Sequence, residues 1–557
     1  MRTASAFLTQ PRRQIQLLLV TIFSSLLFIV PSVAKYHSDE CFYTDAAIRM
    51  SASGNYWTPY TAGGALRFAK PILPYWGVLG GYALFGINFL GSRILFLVAG
   101  CLVIYYTYRL SLVLFGHPAE AALAAMIAGS NVQLLTIAIR STPDALLTLF
   151  VLLSLFGFAR IIFAGETRWR NYAVAYLGAG LAVETRGLPG LSVAVFPFVF
   201  CLLCQRRQIK LRQLVEWKAL TLGVLVAFSW FGVMLWLHGH ALIDGFYYDQ
   251  VTENIKEFSY LSPVKNVWGY FTGFLRHFLP WSALIGLGLL INKRVAIAFW
   301  QEHRTRCWFL LSWYLFILSP FILGETYRTR YMTVAYPLLA VLLAGLLHRY
   351  FVDEKFERWM IRVLAAAALV VGLAAVALIA AGAVTRPRII GAGVLLLLTA
   401  LVLGRVVLRK PRWAYGGAIA TLALALFWTV ELFLRPAFSQ SPAAALTARL
   451  IPDEVLNQRV YGLNLSPSSP SSMRVLSGGR LTVVPLLAKA ASDLPPGSTP
   501  LIFTETEKPL LREVTGDVEQ VGFASRRWHL RDFLDYLDSA KRAEVIKRNS
   551  VPYYVLH

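Results

Sequence analysis

The sequence predicts a polytopic α-helical membrane protein with loop helices outside the membrane and a small α/β soluble domain at its C-terminal end. Of its 557 residues 57% are hydrophobic and only 15% are charged, whereas a soluble domain carries about 25% charged residues. The apolar residues also come in blocks close to the roughly 20 residues that cross a bilayer as a helix. After Pro436 short alternating runs replace these blocks.

Thirteen apolar blocks are predicted to cross the membrane, because each is close to the length of a spanning helix. They are Gln14–Ala34, Asn88–Arg109, Ala119–Ala138, Ala145–Ile162, Asn171–Val183, Leu188–Cys204, Ala219–His238, Val267–Ile291, Cys307–Leu323, Tyr331–Leu347, Ile361–Ala381, Ile389–Val407 and Ala414–Phe433. A further apolar stretch, Lys70–Gly86, is interrupted by prolines and rich in aromatic residues. It is therefore predicted to lie in the membrane interface.

The positions of Lys and Arg set the predicted orientation. The loops assigned to the cytoplasm hold twice as many of these residues as the loops on the other side, as the positive-inside rule requires. The N-terminus is therefore predicted to be cytoplasmic, and an odd number of spans places the C-terminal domain in the periplasm. The net charge of +23 comes mostly from the inner loops, which favours anionic headgroups over nucleic acid as the partner.

The segment 436–557 is predicted to form the α/β domain. Runs such as "RVYGLNL", "TPLIFTE" and "VPYYVLH" are typical of strands, and "RRWHLRDFLDYLDSAKRAEVIKR" is typical of one or two helices. The segment contains neither a glycine-rich phosphate loop nor a paired-cysteine metal motif. The chemistry is therefore expected in residues 1–435, where the two long outer loops 35–87 and 239–266 are predicted to form the active site.

Two adjacent carboxylates follow the first span in the stretch "HSDECFYTD". One interpretation is structural: Ser38 caps a helix predicted over Asp39–Ala52, and acids in its first turn interact favourably with the helix dipole. The other is functional, because ionised groups at a membrane exit usually serve a purpose. Arg67, Lys70 and Arg140 on the same face favour the second interpretation, since basic groups beside acids suit a phosphate-bearing lipid.

Five segments occur in a fixed order along the chain. They are "DE" with "ASGNYWTPYTAGGALRFAKPILPYW", then "STPDALLTLFVLLSLFGFAR", "LAVETRGLPGLSVAVFPFVF", "FYYDQVTENIKEFS…HFLPW" and "ETYRTRYMTVAYPLLAVLLAG". Together they resemble segments of the polyprenyl-phosphate-sugar-dependent glycosyltransferases of the GT-C class. Within that class the chain is most similar to the aminoarabinose transferases of lipid A and to the protein O-mannosyltransferase-like proteins, glycosyltransferase families 83 and 39.

The resemblance implies roles for individual residues. Asp39 and Asp144 match the two acidic positions of the family and would be catalytic, as a base or as substrate-orienting groups. The residues expected to bind substrate are Glu40, Lys70, Arg140, Arg328, Arg330 and Tyr336. The chain departs from the family in having Ala69 before the lysine, "PIL" after it, and no His in its long loop. These departures argue against a metal site and against aminoarabinose as the sugar. No cofactor is assigned, and a divalent metal, though compatible with the chemistry, is not indicated.

The expected activity is transfer of a sugar from an undecaprenyl-phosphate-type carrier to a lipid A-like envelope glycolipid, on the periplasmic face of the bacterial inner membrane. The sugar is left open, with 4-amino-4-deoxy-L-arabinose as one possibility. Cationic side chains would stabilise the departing phosphate, and a carboxylate would deprotonate the acceptor hydroxyl in an inverting reaction. The partners are then the lipid-linked donor, the glycolipid or protein acceptor and the membrane lipids, with no nucleic acid.

Two alternatives to this activity stay open. One keeps the enzyme class but makes protein Ser/Thr, or another glycan, the acceptor. The other is a transporter or flippase for the lipid-linked sugar. Transporters tend to have internal repeats and ionisable residues near the bilayer midplane, whereas here the acids cluster on one predicted face and no repeat is found.

Overall fold

The computed structural model describes most of the chain. The described residues are 11–32, 36–61, 63–204, 209–247, 262–322, 329–384, 387–409, 414–435, 441–450, 460–487, 493, 500–511, 517–525 and 541–556.

Helices dominate residues 11–435. The first ten are α1 (Pro11–Ile29), α2 (Cys41–Ser53), α3 (Leu73–Phe85), α4 (Phe89–Phe115), α5 (Pro118–Gly129), α6 (Val132–Ala138), α7 (Pro143–Ala164), α8 (Trp169–Arg186), α9 (Leu188–Cys204) and α10 (Trp217–His238). The next eight are α11 (His240–Tyr247), α12 (Ser262–His277), α13 (Trp281–Glu302), α14 (Arg304–Ile322), α15 (Tyr336–Val352), α16 (Glu354–Val384), α17 (Pro387–Arg409) and α18 (Tyr415–Trp428). A 3₁₀ segment, Thr329–Ala335, leads into α15, and a π-helical segment, Thr429–Leu434, extends α18.

The bundle has the length and composition of a multi-pass membrane protein. Among the described residues, 8 helices are long and apolar enough to cross a membrane, and the pair α5 and α6, bent by 65°, would make a ninth. Two shorter apolar helices lie at Arg13–Ile29 and Gly190–Cys204. The predicted polytopic helical class is confirmed, whereas the number of thirteen spans stays a prediction.

Two predicted helices have different limits in the structure. The predicted span Val267–Ile291 is wrong as one helix, because residues 278–280 form a turn between α12 and α13. Pro280 stands at this turn, and a proline in a helix interior removes a hydrogen bond and clashes with the preceding turn. The stretch Lys70–Gly86 contains only the 13-residue helix α3, which is short for a membrane crossing.

Helices α7 and α8 approach each other closely at two glycines. A Cβ at Gly157 would lie 2.6 Å from the amide nitrogen of Ala175, and one at Gly178 would lie 2.7 Å from that of Ser154. Small residues allow helix backbones to pack this closely in a membrane. The contact fixes the start of α7 beside the end of α8, and both ends carry charged residues of the candidate site.

The described residues of the C-terminal part contain one mixed sheet. Its strands are β1 (Val460–Leu463), β2 (Val483–Leu486), β3 (Leu501–Thr504), β4 (Val518–Ser525) and β5 (Ser550–Leu556), in the order β2-β1-β3-β5-β4. β1 runs parallel to β2 and β3, and β5 runs antiparallel to β3 and β4. The helices α19 (Ala443–Leu450), α20 (Ser468–Leu476) and α21 (Arg542–Arg548) accompany it. This is the small C-terminal α/β region that the sequence predicts.

Candidate active site

The candidate site begins at the turn before α2. The helix starts at Cys41, with Glu40 at its N-cap position and no acid in its first turn. The predicted start at Asp39 is therefore two residues too early. The helix-dipole interpretation of the two carboxylates loses its basis, because both side chains are held by tertiary contacts instead.

Glu40 forms a fully buried ion pair with Arg93 of α4. The Arg93 Nε donates to Glu40 Oε2 at 2.7 Å and its Nη2 donates to Oε1 at 3.0 Å. The third nitrogen, Nη1, donates to the carbonyls of Val30 and Ser32 at 2.6 and 3.0 Å. Every donor group of this guanidinium is thereby directed at the segment between α1 and α2, which ties that segment to α4.

Further donors complete the surroundings of Glu40. The backbone N–H and the hydroxyl of Ser141 donate to Oε2 at 3.1 and 2.9 Å, and the backbone N–H of His37 donates to Oε1 at 2.8 Å. Burial alone would raise the pKa of Glu40, but the charge and hydrogen bonds of Arg93 and the two backbone N–H groups hold that pKa below its ordinary value. Glu40 is therefore an ionised carboxylate with both oxygens occupied.

Asp39 contacts Arg330. Its Oδ2 accepts a hydrogen bond from Arg330 Nη1 of the 3₁₀ segment. The two side chains are 31% and 25% exposed, respectively. Unlike Glu40, this carboxylate is accessible from outside the protein.

Asp144 forms a second acid–arginine pair. Its Oδ1 accepts from Arg186 Nη1 at 2.8 Å, and its Oδ2 accepts from the hydroxyl of Thr142 at 3.2 Å. Asp144 lies in the first turn of α7 and Arg186 ends α8. The close packing of α7 on α8 thus brings the two charges together.

One tyrosine joins the two pairs. The guanidinium carbon of Arg186 lies 4.3 Å from the ring centre of Tyr331, and that of Arg330 lies 5.7 Å from it. The charge of Arg330 also interacts with both Asp144 and Asp39. Two guanidinium groups, each paired with a carboxylate, therefore lie beside one aromatic ring, an arrangement that can hold an anion beside a carboxylate.

His37 contacts the backbone of Asp39. Its Nδ1 accepts from the Asp39 N–H at 3.1 Å, so the ring is unprotonated at that nitrogen. Burial and the charge of Arg140 lower the pKa of His37 below its ordinary value. At neutral pH the ring is therefore neutral, and it adds no positive charge beside Arg330.

The remaining predicted site residues have varied positions. Arg140 is half-buried, with its charge in range of Glu40 and Asp144. Lys70 is half-buried before α3, and its Nζ donates to the Ala69 carbonyl at 2.9 Å. Tyr336 is buried, with its hydroxyl 2.8 Å from His277 Nδ1. Arg328 lies outside the described residues.

Sequence reasoning missed several residues of this site. Arg93, Arg186, Ser141, His37 and Tyr331 were not among the predicted site residues. Arg93 is the one with a usable signal, because a lone arginine within an apolar block needs a partner. Of the described residues, no group of three or more His, Cys, Asp or Glu side chains is placed to hold a metal ion.

Comparison with known proteins supports the resemblance seen in the motifs. Residues 69–236 match the family described as dolichyl-phosphate-mannose-protein mannosyltransferase. A protein named undecaprenyl phosphate-alpha-4-amino-4-deoxy-L-arabinose arabinosyl transferase 2, from Pseudomonas fluorescens, is 27% identical over 392 residues, which are 69% of this chain and 64% of that protein. An uncharacterized protein of Aquifex aeolicus is 28% identical over 320 residues, 57% of this chain and 60% of its own length. The chain thus spans under two thirds of these relatives.

The fold is that of a solved membrane protein. The crystal structure of ArnT from Cupriavidus metallidurans bound to undecaprenyl phosphate matches with a TM-score of 0.68 and 18% sequence identity, over 96% of this chain and 97% of that chain. The apo structure of the same protein also matches with a TM-score of 0.68. The expected resemblance to the GT-C glycosyltransferases is confirmed.

Proposed function

We propose that this protein is a membrane glycosyltransferase that moves a sugar from a polyprenyl-phosphate carrier to an envelope glycolipid. The lead donor is undecaprenyl phosphate carrying 4-amino-4-deoxy-L-arabinose, and the lead acceptor is lipid A. The name of the Pseudomonas relative supports the donor, as does the carrier lipid bound to the Cupriavidus protein of the same fold. The family departures at Ala69 and in the long loop concern the sugar, which the transfer assay below identifies directly.

The observation that carries the proposal is the pair of acid–arginine contacts around Tyr331. In transfer from a lipid phosphate, the bond between the anomeric carbon and the phosphate oxygen breaks, and its electron pair remains on the phosphate. Arg330 and Arg186 can stabilise that charge, since guanidinium groups bind phosphate through two parallel hydrogen bonds. Fixed charges of this kind cost no reorganisation when the bond breaks.

The two acids differ in accessibility, and this suggests different roles. Asp39 is the more exposed carboxylate, at 31% against 6% for Asp144. We propose that Asp39 accepts the proton of an acceptor hydroxyl while the hydroxyl oxygen attacks the anomeric carbon. If the acceptor is an ionised phosphate, no proton is transferred, and Asp39 orients the amine or hydroxyls of the sugar. Asp144 positions Arg186.

The other predicted residues are assigned by their surroundings. Glu40 is buried with both oxygens engaged, so we assign it a positioning role instead of substrate contact. Tyr336 is buried against His277, and we assign it to packing behind the 3₁₀ segment. Arg140, Lys70 and Arg328 stay proposed substrate-binding residues, as cations that would meet the phosphate groups of the donor or the acceptor.

The site is proposed to face the periplasm, with the N-terminus in the cytoplasm. The excess of Lys and Arg in the loops assigned to the cytoplasm supports this orientation. A reporter enzyme that works only in the periplasm, fused after Pro436, should be active. Activity of a cytoplasmic reporter at the same position would reverse the orientation and place the candidate site on the wrong face for the proposed donor.

The activity can be tested with purified protein in lipid vesicles without any ion gradient. We expect undecaprenyl-phosphate-linked aminoarabinose and lipid A to yield lipid A heavier by one aminopentose in mass spectrometry. A modified Ser/Thr peptide with unmodified lipid A would establish the protein acceptor instead. Movement of the donor across the vesicle bilayer without transfer or hydrolysis would establish the flippase and overturn the proposal.

A further inference from the structure

In the part of the chain that the structure describes, helix α20 and the turn after it join the C-terminal α/β domain to the helix beside the candidate site. Helix α20 lies on α2, the helix that begins directly after Asp39 and Glu40. The Ser471 hydroxyl of α20 is 2.5 Å from the Tyr36 hydroxyl and 3.2 Å from the Thr44 hydroxyl. Tyr36 and Thr44 are themselves 2.6 Å apart. Three hydroxyl groups from three separate segments therefore form one closed set of hydrogen bonds.

A buried ion pair lies beside these hydroxyls. Arg474, one turn after Ser471 in α20, lies with its Nη1 3.6 Å from Asp45 Oδ1. Arg474 and Asp45 are 5% and 7% exposed, respectively. Breaking a buried pair leaves the partner charge uncompensated, which is much costlier than losing an exposed pair. The opposite charges of Arg474 and Asp45 therefore favour the placement of α20 on α2.

The turn after α20 completes the contact by close packing. Gly479 has a φ of +84°, and a Cβ there would lie 3.2 Å from Ile87 and 3.4 Å from Ile48. A glycine is therefore suited to this position both by its backbone conformation and by the nearby side chain of α2. Polar contacts and packing together make α20 a fitted surface for α2.

Tyr36 connects this interface to the buried acid. Its ring centre is 5.4 Å from that of Phe89 and 5.8 Å from the guanidinium carbon of Arg93. Arg93 in turn holds Glu40, the neighbour of Asp39. A chain of contacts thus runs from Ser471 through Tyr36 and Arg93 to the turn that orients Asp39.

We infer that the C-terminal domain is a positioning part of the active site, in which Ser471 and Arg474 hold α2 and Tyr36 so that Asp39 meets Arg330 in the reactive geometry. This inference rests on the proposed function for its catalytic consequence. It assigns a role to a domain whose sequence carries no motif of its own. Ser471 and Arg474 are positioning residues, since the groups they contact are Tyr36, Thr44 and Asp45.

The test compares substitutions at the interface with a matched pair elsewhere in the same domain. Ser471→Ala and Arg474→Met remove the polar contacts to α2. Arg449→Met is the control, because Arg449 pairs with Glu519 at 2.6 Å with both side chains about half exposed (47% and 45%). The double variant Asp45→Arg/Arg474→Asp reverses the pair and provides a rescue.

Two quantities are measured on the full-length protein: the amide hydrogen exchange of α2 and the transfer kinetics. We expect faster exchange across Cys41–Ser53 in the interface variants, and not in Arg449→Met. We also expect kcat to fall by about 10- to 100-fold, the effect of a small misplacement of a reacting group, while KM for the donor changes less than about twofold. The reversed pair should recover part of both losses.

The outcomes separate this inference from the proposed function. If the wild-type protein transfers sugar but the interface variants keep their kcat, the positioning role is overturned, whatever happens to the exchange. If the wild-type protein does not act on the donor, the proposed function fails. The amide hydrogen exchange of α2 is then the only test of the inference. Exchange of α2 that is equal in Arg474→Met and Arg449→Met then overturns the inference.

Discussion

Asp39 and Glu40 are neighbours in the chain but occupy opposite environments. The Glu40–Arg93 pair has both side chains fully buried, whereas the Asp39–Arg330 pair is about a quarter to a third exposed. The buried pair has all its hydrogen-bonding groups satisfied within the protein, so it can fix the backbone but cannot meet a substrate. The exposed pair can exchange its protein contact for one with a ligand. We infer that the same dipeptide supplies one architectural acid and one reactive acid.

The largest expected effect is the loss of turnover when Asp39, the reactive acid, is replaced. Asp39→Asn should lower turnover by roughly 10²- to 10⁴-fold, the usual contribution of a positioned acid or base. Turnover is measured in lipid vesicles with the lipid-linked donor. Glu302→Gln is the matched control, because Glu302 also pairs with an arginine, Arg349, at 2.8 Å in an exposed position. Turnover of Asp39→Asn within a few-fold of this control would return Asp39 to a structural role.

The second effect is on the stability that the buried Glu40–Arg93 pair provides. Arg93→Met should cost about 3–5 kcal/mol in the free energy of unfolding, because it leaves a buried carboxylate unpaired. Arg160→Met is the control, since the Arg160–Glu166 pair is about one third exposed and such pairs contribute about 0–1 kcal/mol. Thermal unfolding in detergent compares the two variants. Equal stability would mean that Glu40 is neutralised or re-paired when Arg93 is lost.

A smaller effect distinguishes the positive charge of the arginines around Tyr331 from the planar shape of their guanidinium groups. Arg186→Lys and Arg330→Lys keep the positive charge but lose the planar fork, so we expect affinity for the carrier phosphate to weaken by about tenfold, or about 1.4 kcal/mol. Arg349→Lys provides the control at an exposed pair. Titration of undecaprenyl phosphate into each variant measures the affinity. Lysine variants that bind like the parent would show that these arginines supply only charge.

The smallest effect is the pH dependence that His37 contributes. Because its pKa is lowered in the folded protein, the unfolded chain binds a proton first as the pH falls. The contribution of His37 to stability is therefore full above the unfolded pKa, about 6.5, and is lost as the pH falls below it. His37→Gln, which can still accept from the Asp39 N–H, should lose less stability than the parent between pH 7.5 and 5.5. Parallel melting curves for the two proteins over that range would contradict this account.

The sequence predicted the class of the site better than its geometry. The acids at the membrane exit and the basic residues near them were visible because charges are rare in this chain. The pairing of Glu40 with Arg93 was not visible, since the two residues lie 53 positions apart in the sequence. An arginine in an apolar block indicates that a partner is needed but does not identify it. Such a pairing depends on helix packing, which local patterns do not report. The pairing also explains why α2 starts late: the carboxylates are satisfied by side chains outside the helix.

The broken eighth span shows a different limit. Pro280 was visible inside the apolar run "HFLPWSALIG", and a proline there favours a helix end. The hydrophobic length of the run alone favours one span, which is the span predicted from the sequence. The close packing of α7 on α8 was likewise encoded by Gly157 and Gly178, but only the register of two helices shows that these glycines face one another.

The division of labour between the two neighbouring acids is tested most directly by turnover per folded molecule, measured for Asp39→Asn and Glu40→Gln in the same assay. Folded protein is counted by size-exclusion chromatography before the donor is added. We expect Asp39→Asn to be produced in normal amounts and to be nearly inactive, whereas Glu40→Gln gives little folded protein, each molecule of which loses less turnover than Asp39→Asn does. The reverse pattern, an inactive but stable Glu40→Gln beside an active Asp39→Asn, would contradict this expectation.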